Sequence, residues 1–300
     1  MFAKAGFFIV KMLSRIPFGV MYVLSDISSW MLFHVIRYRR SVVMGNLSMC
    51  FPEKSSGELK KIARDFYRGF TDTMLESVKM LTISPEEASK RFRYQDEDKL
   101  RGFLNDGHDH IMIFGHCSNW EWLMFTQLIF PKMHLVALYQ KIENPFINAC
   151  TRHARERFGM EAMEAKNALL GLSRLKNDGN SMAAFVADQS PARQLIKHRV
   201  KFFGIDTPAH IGAHQIATRL KFGVIFLEMR RISRGHYLAV TEKIYTPGEP
   251  VGQYEIIDRF FDRLEKQIRR DPSCWLWTHR RWKYADLKND QKKTSADERK

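Results

Sequence analysis

The stretch FGHCSNWEWL sets His116 and Glu121 five residues apart, at the junction of a strand-like run and a helix-like run. An imidazole at a strand end is held by rigid elements yet open to the crevice beyond the sheet. Near neutral pH it can accept a proton from a substrate hydroxyl, an effect typically worth ~10² to 10⁴ in rate. A carboxylate on its other ring nitrogen fixes the tautomer and stabilises the imidazolium as it forms. Glu121, about one turn into the following element, can fold back to fill that role. Ser118 and Glu121 also spell the S-x-x-E capping box, so the glutamate has a second reading as a helix cap. Cys117, beside His116, is an alternative nucleophile, although adjacent residues at a strand end point apart and a buried thiol is inert. Asp188, in SMAAFVADQ, is a second acid at a strand end; it can order basic residues or close the site, or simply cap the next segment. Trp120 and Trp122 suit either an apolar tunnel or the core.

These side chains need a frame. HDHIMIFGH reads as a buried strand, its apolar run continuous from Ile111 to Phe114. Ahead of it, Ser55 and Glu58 form a capping box before Leu59, Ile62, Phe66, Phe70, Met74 and Val78 at helical spacing. After it, SNWEWLMFTQLIF reads as a helix, HLVALY as a strand, and NPFINACTRHARERFG and NALLGLSRLKNDG as helices. SMAAFVADQ is a strand, HIGAHQIATRLKFG a helix, and VIFLEMRR and HYLAVTEKIY strands. A last helix carries Ile256, Ile257, Phe260, Phe261, Leu264 and Ile268 and stops before Asp271 and Pro272. The alternation predicts an α/β fold with a mixed, largely parallel central sheet flanked by helices. Sites in such sheets lie outside the carboxyl ends of the strands, where His116 and Asp188 both fall.

The 300 residues are 45% hydrophobic and carry no linker or internal repeat, so one large catalytic domain is expected. Lys and Arg total 48 against 33 Asp and Glu, a formal charge of +15 that suits an acidic partner. Nucleic acid is not expected, because no helix-turn-helix, zinc-finger or RNA-binding signature is present. Cys50, Cys117, Cys150 and Cys274 are widely separated and read as reduced thiols facing the cytosol rather than a disulfide framework or zinc site. His108, His110 and His116 span both ends of one strand, so no metal site is expected there.

Residues 2–36 are far more apolar than the rest and run into Arg37, Arg39 and Arg40. A secretory signal would end in small residues rather than arginines. Phe18 to Ile36 could span about 28 Å as a helix, near the ~30 Å hydrocarbon thickness. Asp26 near its middle costs roughly 2.5 to 3.5 kcal/mol in a bilayer unless paired or displaced to an interface. With Lys4, Lys11 and Arg15 the first half instead suits a helix in the headgroup plane. Both readings stay open, with the arginines at a cytoplasmic face. The expected organisation is a membrane anchor over 1–40, a catalytic domain over 41–285 and a charged, fraying tail over 286–300.

His116-Cys-Ser-Asn-Trp-Glu121 resembles the His-x-x-x-x-Asp/Glu signature of the glycerolipid acyltransferase superfamily. Its Asn-Trp-Glu form resembles the late lipid A acyltransferases, the lauroyl and myristoyl transferases of Gram-negative bacteria. YQKIENPFIN, AFVADQSP, the stretch VKFFGIDTPAHIGAHQIATRLKFGVIF and CWLWTHRRWK are similar to further blocks of that family in the same order. The resemblance covers about residues 1 to 284. It implies a glycerol-3-phosphate acyltransferase-like fold and transfer of a fatty acyl group from a thioester to a hydroxyl of a lipid A precursor. It further implies His116 as base, Glu121 as its orienting partner, and Asn119, Lys141, Asp188, Gln189, Arg280 and Arg281 as substrate-binding residues. No cofactor is implied beyond the donor's own phosphopantetheine. The implied partners are acyl carrier protein and membrane lipid, at the cytoplasmic side of the inner membrane. Basic clusters at Arg152, Arg155 and Arg157, at Lys197, His198, Arg199 and Lys201 on a loop, and at Arg280, Arg281 and Lys283 would steer both. The chain departs from the family at Gln140, where the family carries arginine; Lys141 can replace that residue only as a point charge. The same chemistry on a glycerolipid or aminolipid, or a basic membrane protein without catalysis, are the alternative readings.

Overall fold

The computed structural model describes residues 2–140 and 143–285. In chain order the elements begin with α1 (Phe2–Leu13), α2 (Phe18–Trp30), α3 (Arg40–Cys50), α4 (Ser56–Lys79) and α5 (Pro85–Arg91). Then come β1 (Phe92–Tyr94), α6 (Glu97–Leu104), β2 (His110–Phe114), α7 (Thr126–Ile129), β3 (His134–Tyr139), α8 (Pro145–Glu156) and β4 (Glu161–Glu164). The rest are α9 (Ala168–Leu172), β5 (Ser181–Val186), β6 (His198–Phe202), β7 (Ile205–Ala209), α10 (Gly212–Leu220), β8 (Gly223–Ser233), β9 (His236–Tyr245) and α11 (Glu255–Arg270).

Seven strands form the central sheet in the order β1-β9-β8-β2-β5-β3-β4, parallel except for the β8–β9 hairpin. The expected mixed, largely parallel sheet is therefore present. Alternate side chains supply two layers of core. Ile111, Ile113, Ala183, Val224 and Phe226 pack with α10 and α11, while Met112, Phe114, Met182 and Ile225 pack under α5, α6 and the segment after His116. Helix α11 buries Ile256, Ile257, Phe260, Phe261, Leu264 and Ile268, each worth ~1.5–3 kcal/mol in burial. The Ser55–Glu58 capping box starts α4 as its residues require.

Three expectations fail locally. The segment after His116 is a 3-10 turn, Trp120–Phe125, continued by the single turn of α7, rather than one long helix. Its start is not capped, because Ser118 turns at φ 52° and the Asn119 and Glu121 side chains bond elsewhere. NALLGLSRLKNDG forms only the short α9, and the Lys197–Lys201 stretch is not a loop but largely strand β6 of an antiparallel hairpin with β7.

Helix α2 is continued by a π-helical turn, Met31–Val35, and Phe18–Val35 is, among the described residues, the one stretch long and apolar enough to cross a membrane. It is not a detached anchor. Ser25 Oγ donates to Asp72 Oδ1 at 2.6 Å on α4. Asp26 is paired with Arg68 and Arg234, and Arg234 reaches Asp72 as well. The acid that would be costly in hydrocarbon is thus matched by two guanidinium groups. On the other flank Val20, Val23, Leu24, Ile27 and Trp30 are exposed, beside Phe8, Ile9, Met12 and Leu13 of α1.

Candidate active site

Strands β2 and β5 run parallel with Phe114 opposite Val186. Two residues beyond each strand end, the same register brings His116 level with Asp188. His116 Nδ1 lies 2.6 Å from Asp188 Oδ1, and the His116 backbone N–H donates to Asp188 Oδ2 at 2.9 Å. Trp275 Nε1 donates to the same oxygen at 2.6 Å. Asp188 is 2% exposed. Burial pushes its carboxyl up, but the His116 ring, the His116 N–H and Trp275 outweigh it and hold the pKa at about 2. An ionised acceptor on Nδ1 requires the proton on that nitrogen, which leaves the Nε2 lone pair free to act as a base. Gln189 Nε2 is 3.4 Å from His116 Nε2, at the long limit of contact.

The loop is folded to permit this approach. A Cβ on Gly115 would sit 2.6 Å from Leu264 Cδ1, so a side chain there would require the Leu264 side chain of α11 to shift beside Asp188. The backbone beyond it is stapled to the C-terminal Trp-rich segment: Ser118 N–H donates to the Cys274 carbonyl and Leu276 N–H to the His116 carbonyl. Cys117 is buried within this staple, and burial pushes its thiol well above the usual range, which removes it as a nucleophile.

The expectation that Glu121 orients His116 is not met. Its carboxylate is bidentate on Arg155 of α8, with contacts of 2.8 to 3.2 Å. The physical reason is that a 3-10 start turns the side chain toward α8, while the sheet register delivers Asp188 to the ring first. Glu121 is therefore paired with Arg155 and not with the imidazole. Glu121→Ala and Arg155→Ala are expected to reduce transfer to similar extents, and the double variant to be no worse than either. A double-mutant cycle with additive losses would defeat this coupling, which should be about 1.5–3 kcal/mol for a partly buried bidentate pair.

Other expected site residues separate. Asn119 is fully buried with Nδ2 2.7 Å from Glu76 Oε2, so it ties the loop to α4 instead of touching substrate. Arg281 is also fully buried, its NH2 donating to the Pro208 carbonyl and its guanidinium lying against the Phe261 ring. Arg280 is exposed in a separate groove with Lys283, Ser41 and Met49. Lys141 lies outside the described residues. Arg199 is taken up by Asp206 and the backbone of Tyr284, and Arg152 by Glu156.

Trp120 packs edge-on against His116, ring centroids 4.9 Å apart. Past it opens an apolar cleft of about 320 Å³ between α4 and α8, lined by Trp120, Glu121, Met74, Val78, Ile147 and Cys150 among others. An imidazole held by a buried carboxylate, with Trp120 between its ring and an apolar cleft, is an arrangement that can accept a proton beside a bound hydrocarbon.

The family described as bacterial lipid A biosynthesis acyltransferase matches residues 2–284. The lipid A biosynthesis palmitoleoyltransferase of Escherichia coli (strain K12) is 22% identical over 273 residues, spanning 90% of this chain and 87% of that protein. A lipid A biosynthesis acyltransferase of Shigella flexneri matches to the same extent. The chain belongs to the bacterial lipid A biosynthesis acyltransferases, and it is an O-acyltransferase.

Proposed function

We propose that the protein transfers a fatty acyl group from acyl carrier protein to a hydroxyl of a lipid A precursor. The observation that carries this mechanism is the 2.6 Å contact between His116 and Asp188, next to Trp120, which packs on the His116 ring and lines the apolar cleft. His116 Nε2 removes the acceptor proton as the hydroxyl oxygen attacks the thioester carbonyl. Asp188 stabilises the imidazolium so formed. Collapse of the tetrahedral intermediate breaks the carbon–sulfur bond, and the proton passes from His116 to the departing thiolate. The acyl chain lies in the cleft, and the Gln189 amide faces the acceptor side of the ring. No cofactor enters these steps beyond the donor's phosphopantetheine.

The exposed apolar flanks of α1 and α2 support attachment to the cytoplasmic face of the inner membrane. With Ser25, Asp26 and Ser29 turned to the body and Val23, Leu24, Ile27 and Trp30 outward, α2 suits a helix half-sunk in the headgroup layer. Among the described residues the groove bearing Arg280 and Lys283 has no carboxylate in its lining, which suits the acidic carrier protein.

The test is mass spectrometry of lipid extracts after incubating membranes that contain the wild type or His116→Ala with acyl carrier protein thioester and tetra-acylated lipid A precursor. A gain of one acyl group that depends on His116 is expected. A gain on a different lipid would keep the chemistry and move the acceptor, and no gain on any lipid would overturn the reading.

A further inference from the structure

The acyl cleft runs along the last turns of α4. At its catalytic end Thr73 Oγ1 donates to the Ser118 carbonyl, two residues from His116. At its other end Thr82, just past the helix, exchanges hydrogen bonds with Ser14, which follows α1: Ser14 Oγ to Thr82 Oγ1 at 2.9 Å and Thr82 Oγ1 to the Ser14 carbonyl at 2.8 Å. Lys79 also donates to the Ile16 carbonyl. From Thr73 to its end at Lys79 the helix rises roughly 9 Å at ~1.5 Å per residue, and Thr82 lies one turn beyond. Met74, Ser77, Val78, Met80 and Leu81 mark successive depths along it.

Helix α1 crosses the far end. Among the described residues, Val10 is the one by which it lines the cleft. On the α8 side Gly6 lies so close to Phe146 that an added Cβ would sit 3.1 Å from the ring, and Phe7 packs edge-on against His153 at 5.5 Å. The helix thus bridges α8 and the end of α4. Its opposite flank, Phe8, Ile9, Met12 and Leu13, is exposed.

We infer that α1 is the end wall of the acyl cleft and that Val10 sets the longest chain the enzyme accepts. This rests on the acyl-transfer reading above. A chain entering past Trp120 fills the groove beside α4 until its terminal methyl meets Val10. Chains that need more room must displace a helix pinned at Thr82 and Phe146. The segment that offers an apolar face to the membrane is then also part of the specificity machinery.

The experiment gives full-length protein in vesicles the tetra-acylated lipid A precursor and an equimolar mixture of carrier protein thioesters from octanoyl to palmitoyl. Product masses report the chain-length profile. Val10→Trp is expected to lower the ratio of longest to shortest product at least about tenfold, since each methylene refused by a hydrophobic pocket is discriminated strongly. Val10→Ala should shift the profile the other way. Ile9→Trp, which adds the same bulk on the exposed flank, should leave it unchanged. Continued short-chain transfer by Val10→Trp shows that the variant is folded. An unchanged profile in Val10→Trp and Val10→Ala, or an equal loss at every length, would overturn the inference. Wild-type protein that transfers nothing would instead overturn the functional reading, and this inference with it.

Discussion

Asp188→Asn is expected to lower kcat by about 10³- to 10⁴-fold while leaving the protein folded. The asparagine oxygen would take the two donors that now meet Asp188 Oδ2, the His116 N–H and Trp275 Nε1. Its amide nitrogen would then face His116 Nδ1 and donate to it, forcing the ring proton onto Nε2 and abolishing the base. Because the two side chains act as a unit, His116→Ala should cost about as much as the double variant. Asp188 also makes a pH prediction. Its folded pKa of about 2 lies below the ~3.9 of an unfolded aspartate. Its contribution to stability is therefore complete above pH ~4 and is lost as the pH falls toward 2, on the order of 2 kcal/mol. Tryptophan fluorescence followed during acid titration should show a shallower loss in Asp188→Asn than in the wild type. An asparagine variant with near-normal turnover would transfer the orienting role back to Glu121.

The largest loss of stability is expected at Glu76, which performs no chemistry. Its carboxylate is fully buried and accepts from Tyr22 at 2.9 Å, Asn119 at 2.7 Å and Tyr237 at 2.8 Å, so it joins α2, the catalytic loop and β9 to α4. Glu76→Ala strands three buried donors at about 1–3 kcal/mol each, partly relieved by relaxation, and should cost about 3–5 kcal/mol. That corresponds to a fall of about 10 °C in Tm for a chain of this size. Glu76→Gln keeps acceptor oxygen for most of these donors. Burial already pushes this carboxyl pKa up, so removing the charge should cost less than about 1.5 kcal/mol. Thermal melts in one detergent would decide the matter; equal destabilisation by both variants would show that the charge, not the hydrogen-bond acceptor, is what the site requires.

Much of the frame was legible because periodicity reports burial. The apolar spacing of α4 and α11 and the continuous runs of β2 and β8 name both the elements and their buried faces. The three-residue β1 and four-residue β4 were not legible, since an edge strand that short leaves no pattern. The histidine was legible from its place at a strand end, and so was Asp188 as an acid at another. Their pairing was not, because it depends on β5 lying next to β2 in register. Sequence spacing instead favoured Glu121, which is near in the chain but turned toward Arg155. Asn119 and Arg281 look like ligand-binding residues by type; in the fold Asn119 is held by Glu76, and Arg281 is buried with one donor on the Pro208 carbonyl. Trp275 and Val10 had no local signal of their roles, because each acts across a contact with distant parts of the chain.

The stapling of the His116 loop by Cys274–Leu276 has a consequence for how the enzyme comes into being. The base is assembled from parts of the chain made early, and its aspartate receives its third donor only from a segment made late. Until Trp275 and Leu276 pack against the loop, His116 and Asp188 lack both the indole donor and the backbone staple, so the pair is complete only once this distant segment has folded onto it. By the same logic, a single proteolytic nick between Arg270 and Trp275 is expected to loosen the His116–Asp188 pair while leaving α1, α2 and the apolar cleft untouched.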